Sequence, residues 1–164
     1  MQDVLSSFAY SLDYLRELVA DLSEQEMVAQ PSRIMNHAAW TIGHLTYSCQ
    51  AIGGEIGLAP WLPDDWRARF GTGSVAMNDP SAYAPKSLAI VRLGEGQARI
   101  TAAVLSLTDS QLSAPLPDER FRSVLPSVRH ALTQVLVAHT ALHVGQLILW
   151  RKALGKASLG RGYL

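Results

Sequence analysis

Apolar residues return every three or four positions through four stretches of the chain, and polar segments rich in Gly, Pro, Ser and Asp separate them. Val4, Leu5, Phe8, Leu12, Leu15, Leu18 and Val19 fall on one face at helical spacing, which predicts a first helix from about Gln2 to Asp21. Ser23 to Glu26 is a capping-box pattern, so a short helical turn should open there and close before Pro31. A second helix is expected from about Asn36 to Ile52, stopped by Gly53 and Gly54. From Gly54 to Asp79 the chain has no clear period and is too long for an ordinary connection, as a crossover or a functional loop would be. Asp79 and Pro80 start the approach to a third helix, about Lys86 to Leu107, whose Gly94 and Gly96 each cost roughly 1 kcal/mol relative to Ala. Thr108 to Gln111 repeats the capping box ahead of Pro115 and Pro117. Ser127 can cap a fourth helix that runs to about Leu154, with Arg151 and Lys152 in its last turn and Gly155 after it.

No segment sustains a period of two, and no hairpin dipeptide lies between apolar runs, so the expected class is all-α. Both halves read as long helix, capped short turn, proline and long helix. That plan predicts one domain over residues 1–164: a four-helix bundle of two helical hairpins, with a long crossover between the second and third helices.

Charge and composition narrow the partners. Fourteen basic residues balance fourteen acidic ones, and none of the lysines or arginines form a run, so nucleic acid is not expected to bind. The single cysteine, Cys49, excludes an intrachain disulfide and a cysteine-based zinc cluster, and suits a reducing cytoplasm. The N-terminus lacks the charged and apolar regions of a signal peptide. Ala131 to Trp150 is long enough to span a bilayer and carries no formal charge. Its six polar residues, Thr133, Gln134, His139, Thr140, His143 and Gln146, would be costly in lipid, so the segment reads as a buried helix of a soluble protein with no membrane partner.

That same segment carries the candidate chemistry. His139 and His143 are four residues apart and lie about 40° apart around a helix, where two imidazoles can reach one divalent ion. With five histidines, such a pair arises by chance in roughly one chain in ten, so two hydrogen-bonded core histidines remain an equal alternative. Thr140 stands where a His-Glu-x-x-His protease needs its glutamate, which excludes that class. His37 and His44 share a face of the second helix but sit roughly 10 Å apart along it, so either one, not both, could add a third ligand. Gly43 beside His44 would permit close helix approach, whereas His37, near the helix start, reads as a half-exposed surface residue. His130 lies on the far side of the fourth helix and reads as a solvated or interface residue.

Trp40-x-x-Gly43-His44-Leu45, His139-x-x-x-His143-x-Gly145-Gln146 and Arg151-x-x-x-Gly155 together resemble the DinB family over nearly the whole chain. The resemblance implies a four-helix bundle, commonly dimeric, with a three-histidine divalent-metal site at His44, His139 and His143. It also implies relatives that are thiol-dependent transferases or isomerases, using low-molecular-weight thiols such as mycothiol or bacillithiol.

Three neutral imidazoles would leave a zinc, nickel or iron ion with open positions, able to activate water or a thiol against a small-molecule substrate. The expected protein is therefore a metal-dependent transferase or hydrolase. A non-enzymatic metal- or ligand-binding helical dimer, and a metal-free structural dimer with a polar core, stand as the alternatives. Gln146 could support the ligands or equally face a neighbour's backbone, and Tyr47 could reach them or pack. Trp61, Trp66, Arg67, Arg69 and Phe70 offer a pocket wall, with Trp61 better read as a core cap. Glu55, Asp64 and Asp65 read as surface carboxylates, and Cys49 as a small core residue. Leu136, Val137, Leu142, Val144, Leu147, Ile148 and Leu149 cover more than one face of the fourth helix, for which a homodimer is the simplest account.

Overall fold

The computed structural model describes residues 1–31 and 36–159. Helix α1 (Gln2–Ala20) buries Leu5, Phe8, Leu12, Leu15, Leu18 and Val19, the stripe its periodicity marks. Burying each contributes about 1.5–3 kcal/mol. In α2 (Glu24–Met27) the Ser23 hydroxyl accepts from the Glu26 amide while the Glu26 carboxylate accepts from the Ser23 amide. Helix α3 (Ala38–Gly54) follows, then the long crossover with its one-turn helix α4 (Trp66–Phe70). Helix α5 (Lys86–Ser106) leads into α6 (Asp109–Ser113), capped reciprocally by Thr108 and Gln111. The last helix, α7 (Val128–Ala153), starts where the Ser127 hydroxyl accepts from the His130 amide. No strand occurs among the described residues, and an isolated bridge joins Pro115 to Ser127.

The four long helices do not pack as two sequential hairpins. The close pairs are α1 with α7 and α3 with α5, and the members of each pair run in the same direction. In α3 and α5, Cys49 faces Gly96, and further along both helices Trp61 sits between Gly53 and Arg99. Helix α7 packs along α1, and Arg151 in its last turn donates to the Leu18 carbonyl near the end of α1. Between the pairs the directions oppose: Lys86 at the start of α5 caps the Val19 and Ala20 carbonyls, while Trp40 faces His143 and His44 faces His139. The order is thus up, down, down, up. A 17-residue α3 is about 25 Å long, and the crossover returns the chain over that distance so that α5 can lie parallel to it. Gly96 belongs to this packing, since a Cβ there would lie 3.3 Å from the Cβ of Cys49.

The crossover is laid back along α3. Gln50 accepts the Trp61 and Leu62 amides, His44 donates to the Phe70 carbonyl, Trp40 donates to the Ser74 hydroxyl and His37 donates to the Met77 carbonyl. As the α3 numbers fall, the crossover numbers rise. Helix α3 is therefore covered on nearly every side, with 13 of its residues buried. Trp40, Trp66, Phe70 and Ala76 form a second apolar cluster under the crossover. Gly43 has a different role from the one its spacing suggests. A Cβ there would collide with the Phe70 ring, so the glycine admits an aromatic side chain of the crossover rather than another helix.

Helix α7 is long and apolar enough to cross a membrane by length and composition. In the structure it packs along α1 and α3 and is pinned near its end by Arg151, whose guanidinium grips both oxygens of Asp21 at 2.6 and 2.9 Å. Within it, Gln134–His139 forms a π-helical turn that the spacing of residues did not announce.

Candidate metal centre

Three imidazoles meet between α3 and α7. His44 comes from the middle of α3, and His139 and His143 come from adjacent turns of α7. The His44 Nε2 lies 3.0 Å from the His139 Nε2, which is 3.1 Å from the His143 Nε2. The wide turn ends at His139, and the buried Thr140 hydroxyl donates to the Val135 carbonyl five residues back at 3.1 Å. Such turns absorb one extra residue and rotate the side chains beyond them to a new direction.

Burial decides the charge of these rings. It holds His139 and His143 down to about 4, with their proximity to one another and to His44 adding to the effect on His143. Burial also lowers His44, opposed by its bond to the Phe70 carbonyl. All three are neutral at pH 7, and each then keeps one ring nitrogen with a free lone pair. The Phe70 carbonyl, 2.6 Å from His44 Nδ1, can only accept, so the His44 proton is assigned to Nδ1 and its Nε2 is bare.

Protons alone serve this cluster poorly. One hydrogen on the His139 Nε2 would have to satisfy two nitrogens at once, on His44 and on His143. A single cation would take all three lone pairs together. Two nitrogens each 2.0–2.1 Å from one ion, at angles between right and tetrahedral, would stand about 2.8–3.4 Å apart, which brackets the observed spacing. Among the described residues, nothing hydrogen-bonds to the buried Nδ1 atoms of His139 and His143. The nearby Gln146 amide acts weakly on His143 without reaching bonding geometry at that Nδ1, and Gln146 itself is exposed.

The remaining candidates divide. His37 is fully buried, contrary to the half-exposed reading, because the crossover covers the start of α3. Its Nδ1 accepts the Trp40 amide at 3.3 Å and its Nε2 lies 2.8 Å from the Met77 carbonyl, so the ring caps α3 and has no nitrogen to spare. His130 is exposed against the Ser127 hydroxyl. Cys49 is a buried thiol held up at about 12, packed on Gly96. Tyr47 packs on the aromatic cluster under the crossover. Trp66, Arg69 and Phe70 do line a cleft, joined there by Tyr83 and Arg92, but the three clustered histidines are not among its walls. Trp61 and Arg67 lie outside it, and Trp61 packs against the core as a cap. Asp64 and Asp65 are exposed, while Glu55 accepts the Asp118 amide. Among the described residues, no carboxylate joins the histidine cluster.

Two features near the site escaped sequence reasoning. Trp40 stacks on His44 with ring centroids 4.7 Å apart, for which its place four residues earlier was an available signal. The Phe70 carbonyl is a backbone group 26 residues away, and nothing in residue spacing points to it.

Residues 7–147 match the model of the DinB superfamily. A conserved protein from Enterococcus faecalis superposes with a TM-score of 0.74 at 18% identity, over 94% of this chain and 97% of that one. YfiT from Bacillus subtilis, described as a probable metal-dependent hydrolase with an unusual four-helix bundle topology, superposes with a TM-score of 0.64 at 16% identity, over 95% of this chain and 88% of that one. At such identities the likeness is one of fold. No protein of curated function matches.

Proposed function

The chain belongs to the DinB superfamily, and on that footing we propose that His44, His139 and His143 hold one divalent metal ion in a metal-dependent enzyme. The observation that carries this reading is the convergence of three imidazole Nε2 atoms, two of the contacts being 3.0 and 3.1 Å, with no carboxylate joining them among the described residues. Imidazole donors suit zinc, nickel or iron. An ion with open positions would lower the pKa of a water or of a low-molecular-weight thiol and so supply a nucleophile near neutral pH. The chain contributes the lone pairs, the burial that keeps them unprotonated, complete at His44 and His143 and partial at His139, and, through Trp40, an aromatic wall against His44. Hydrolysis of a small molecule, or transfer to a thiol, are the two outcomes open to such a nucleophile.

Metal analysis of the native protein should find about one ion per chain, and none in His44→Ala, His139→Ala or His143→Ala. A variant that keeps its metal loses its residue from the ligand set. Turnover of electrophilic substrates in water and in added thiols then distinguishes hydrolase from transferase. Metal binding with no turnover in either would favour a sensing or interaction role, the reading to which the lack of a carboxylate in the cluster lends some weight.

We also read the protein as a soluble cytoplasmic homodimer. The support for the dimer is α7, where Leu142 and Leu149 stand 59% and 64% exposed on an uncharged stretch. Leu149→Glu should convert a dimer to a monomer in light scattering, and a wild-type mass of one chain would end the idea.

A further inference from the structure

The crossover does more at Phe70 than close over α3. Phe70 is the last residue of α4, where a helix leaves its carbonyls without partners inside the helix. That carbonyl is met by the Nδ1–H of His44 at 2.6 Å, as short as any bond between α3 and the crossover. The Phe70 ring is 5% exposed and occupies the volume that a side chain at position 43 would need. Gly43 is the immediate neighbour of His44, so the seat that receives the ring and the imidazole that receives the carbonyl lie on successive residues. Trp40 completes the hold. It stacks flat on His44, at 10° between planes, and its own Nε1 is tied to Ser74 of the crossover. Stacking restricts the plane of the imidazole, and the carbonyl restricts its rotation within that plane.

We propose that Phe70, seated in the notch left by Gly43, is a positioning residue for the histidine cluster, its carbonyl fixing His44 as the Nδ1–H tautomer with Nε2 aimed at His139 and His143. The proposal rests on the reading of that cluster as a metal site for its consequence, but the tautomer itself is a property of the metal-free chain. A hydrogen bond to the far nitrogen of a ligating imidazole orients the ring and raises its basicity, and its loss typically weakens metal binding 10- to 100-fold. Among the described residues His139 and His143 have no such partner on Nδ1, whereas the direction of His44 is set by the crossover.

Zn2+ titration against a chromophoric chelator, with 15N spectra of the histidine rings in metal-free protein, tests this on Phe70→Ala and Gly43→Ala. Both variants should still take one Zn2+ per chain, with affinity about 10- to 100-fold lower. Their His44 signals should change from one tautomer to a mixture. Gly43→Ala should add little to Phe70→Ala, because the ring it displaces is already gone. Leu15→Ala, a fully buried substitution in α1 away from the crossover, should lower thermal stability and leave Zn2+ affinity unchanged. Unaltered affinity and an unaltered His44 tautomer in Phe70→Ala would overturn the proposal, as would an affinity loss in Leu15→Ala as large as in Phe70→Ala. If wild type takes no Zn2+, the metal reading fails by itself, and the tautomer in the two variants still decides the role of Phe70.

Discussion

His37, the N-cap of α3, and His44, within the helix, are seven residues apart, and each donates to a carbonyl of the crossover, at Met77 and Phe70 respectively. Both are buried, and burial makes both rings less basic. They differ in the second nitrogen. In His37 it accepts the Trp40 amide and caps the helix, while in His44 it faces His139 across the bundle. A buried histidine with depressed basicity is thus not by itself a ligand. What separates the two is whether a lone pair is left over and what it is aimed at.

The sharpest break of that contrast is to remove each ring in turn. His44→Ala should abolish metal binding, whereas His37→Ala should keep about one ion per chain. Metal content of the two purified variants checks this, and equal loss in both would erase the distinction. The next effect falls on stability. His37→Ala deletes a helix cap and strands the Met77 carbonyl, which should cost about 1–3 kcal/mol and lower the thermal midpoint by several degrees. Thermal denaturation of metal-free protein reads it out, and an unchanged midpoint would mean that the cap contributes nothing.

Acid sharpens the contrast further. The folded values of His139 and His143, about 4, lie below the ordinary 6.5, so the unfolded chain binds protons first. Stability from these groups is therefore complete above about pH 6.5, falls as pH drops toward 4, and loses nothing more below that. Denaturant midpoints of the metal-free protein should decline over that window, and His143→Ala should decline less. A midpoint that rises on acidification through the window would contradict the buried, neutral assignment. The smallest effect belongs to His130, which is exposed. His130→Ala should change stability by no more than about 0.5 kcal/mol and leave the metal in place.

The legible parts of the molecule were those with a local cause. The stripe from Leu5 to Val19, the capping boxes at Ser23 and Thr108 and the Ser127 cap all appear where the sequence predicts them. His139 and His143 share a face because they are four residues apart on one helix, and that too is a local matter. Spacing leaves His37 and His44 open as alternatives and the family resemblance implies His44, which the structure brings to the pair. The π turn before His139 left no trace in the periodicity, because one extra residue shifts the apolar face without interrupting it.

By itself the sequence determined the four long helices, their caps and the pair of imidazoles on α7, since each depends on residues within one or two turns of each other. Only the tertiary structure decided that α1 pairs with α7 and α3 with α5, that Gly43 holds the Phe70 ring, and that His37 has no free nitrogen while His44 has one. Those outcomes turn on where the crossover lies. Its backbone carbonyls and ring positions depend on how some thirty residues are laid along α3, and no spacing rule within the chain encodes that path.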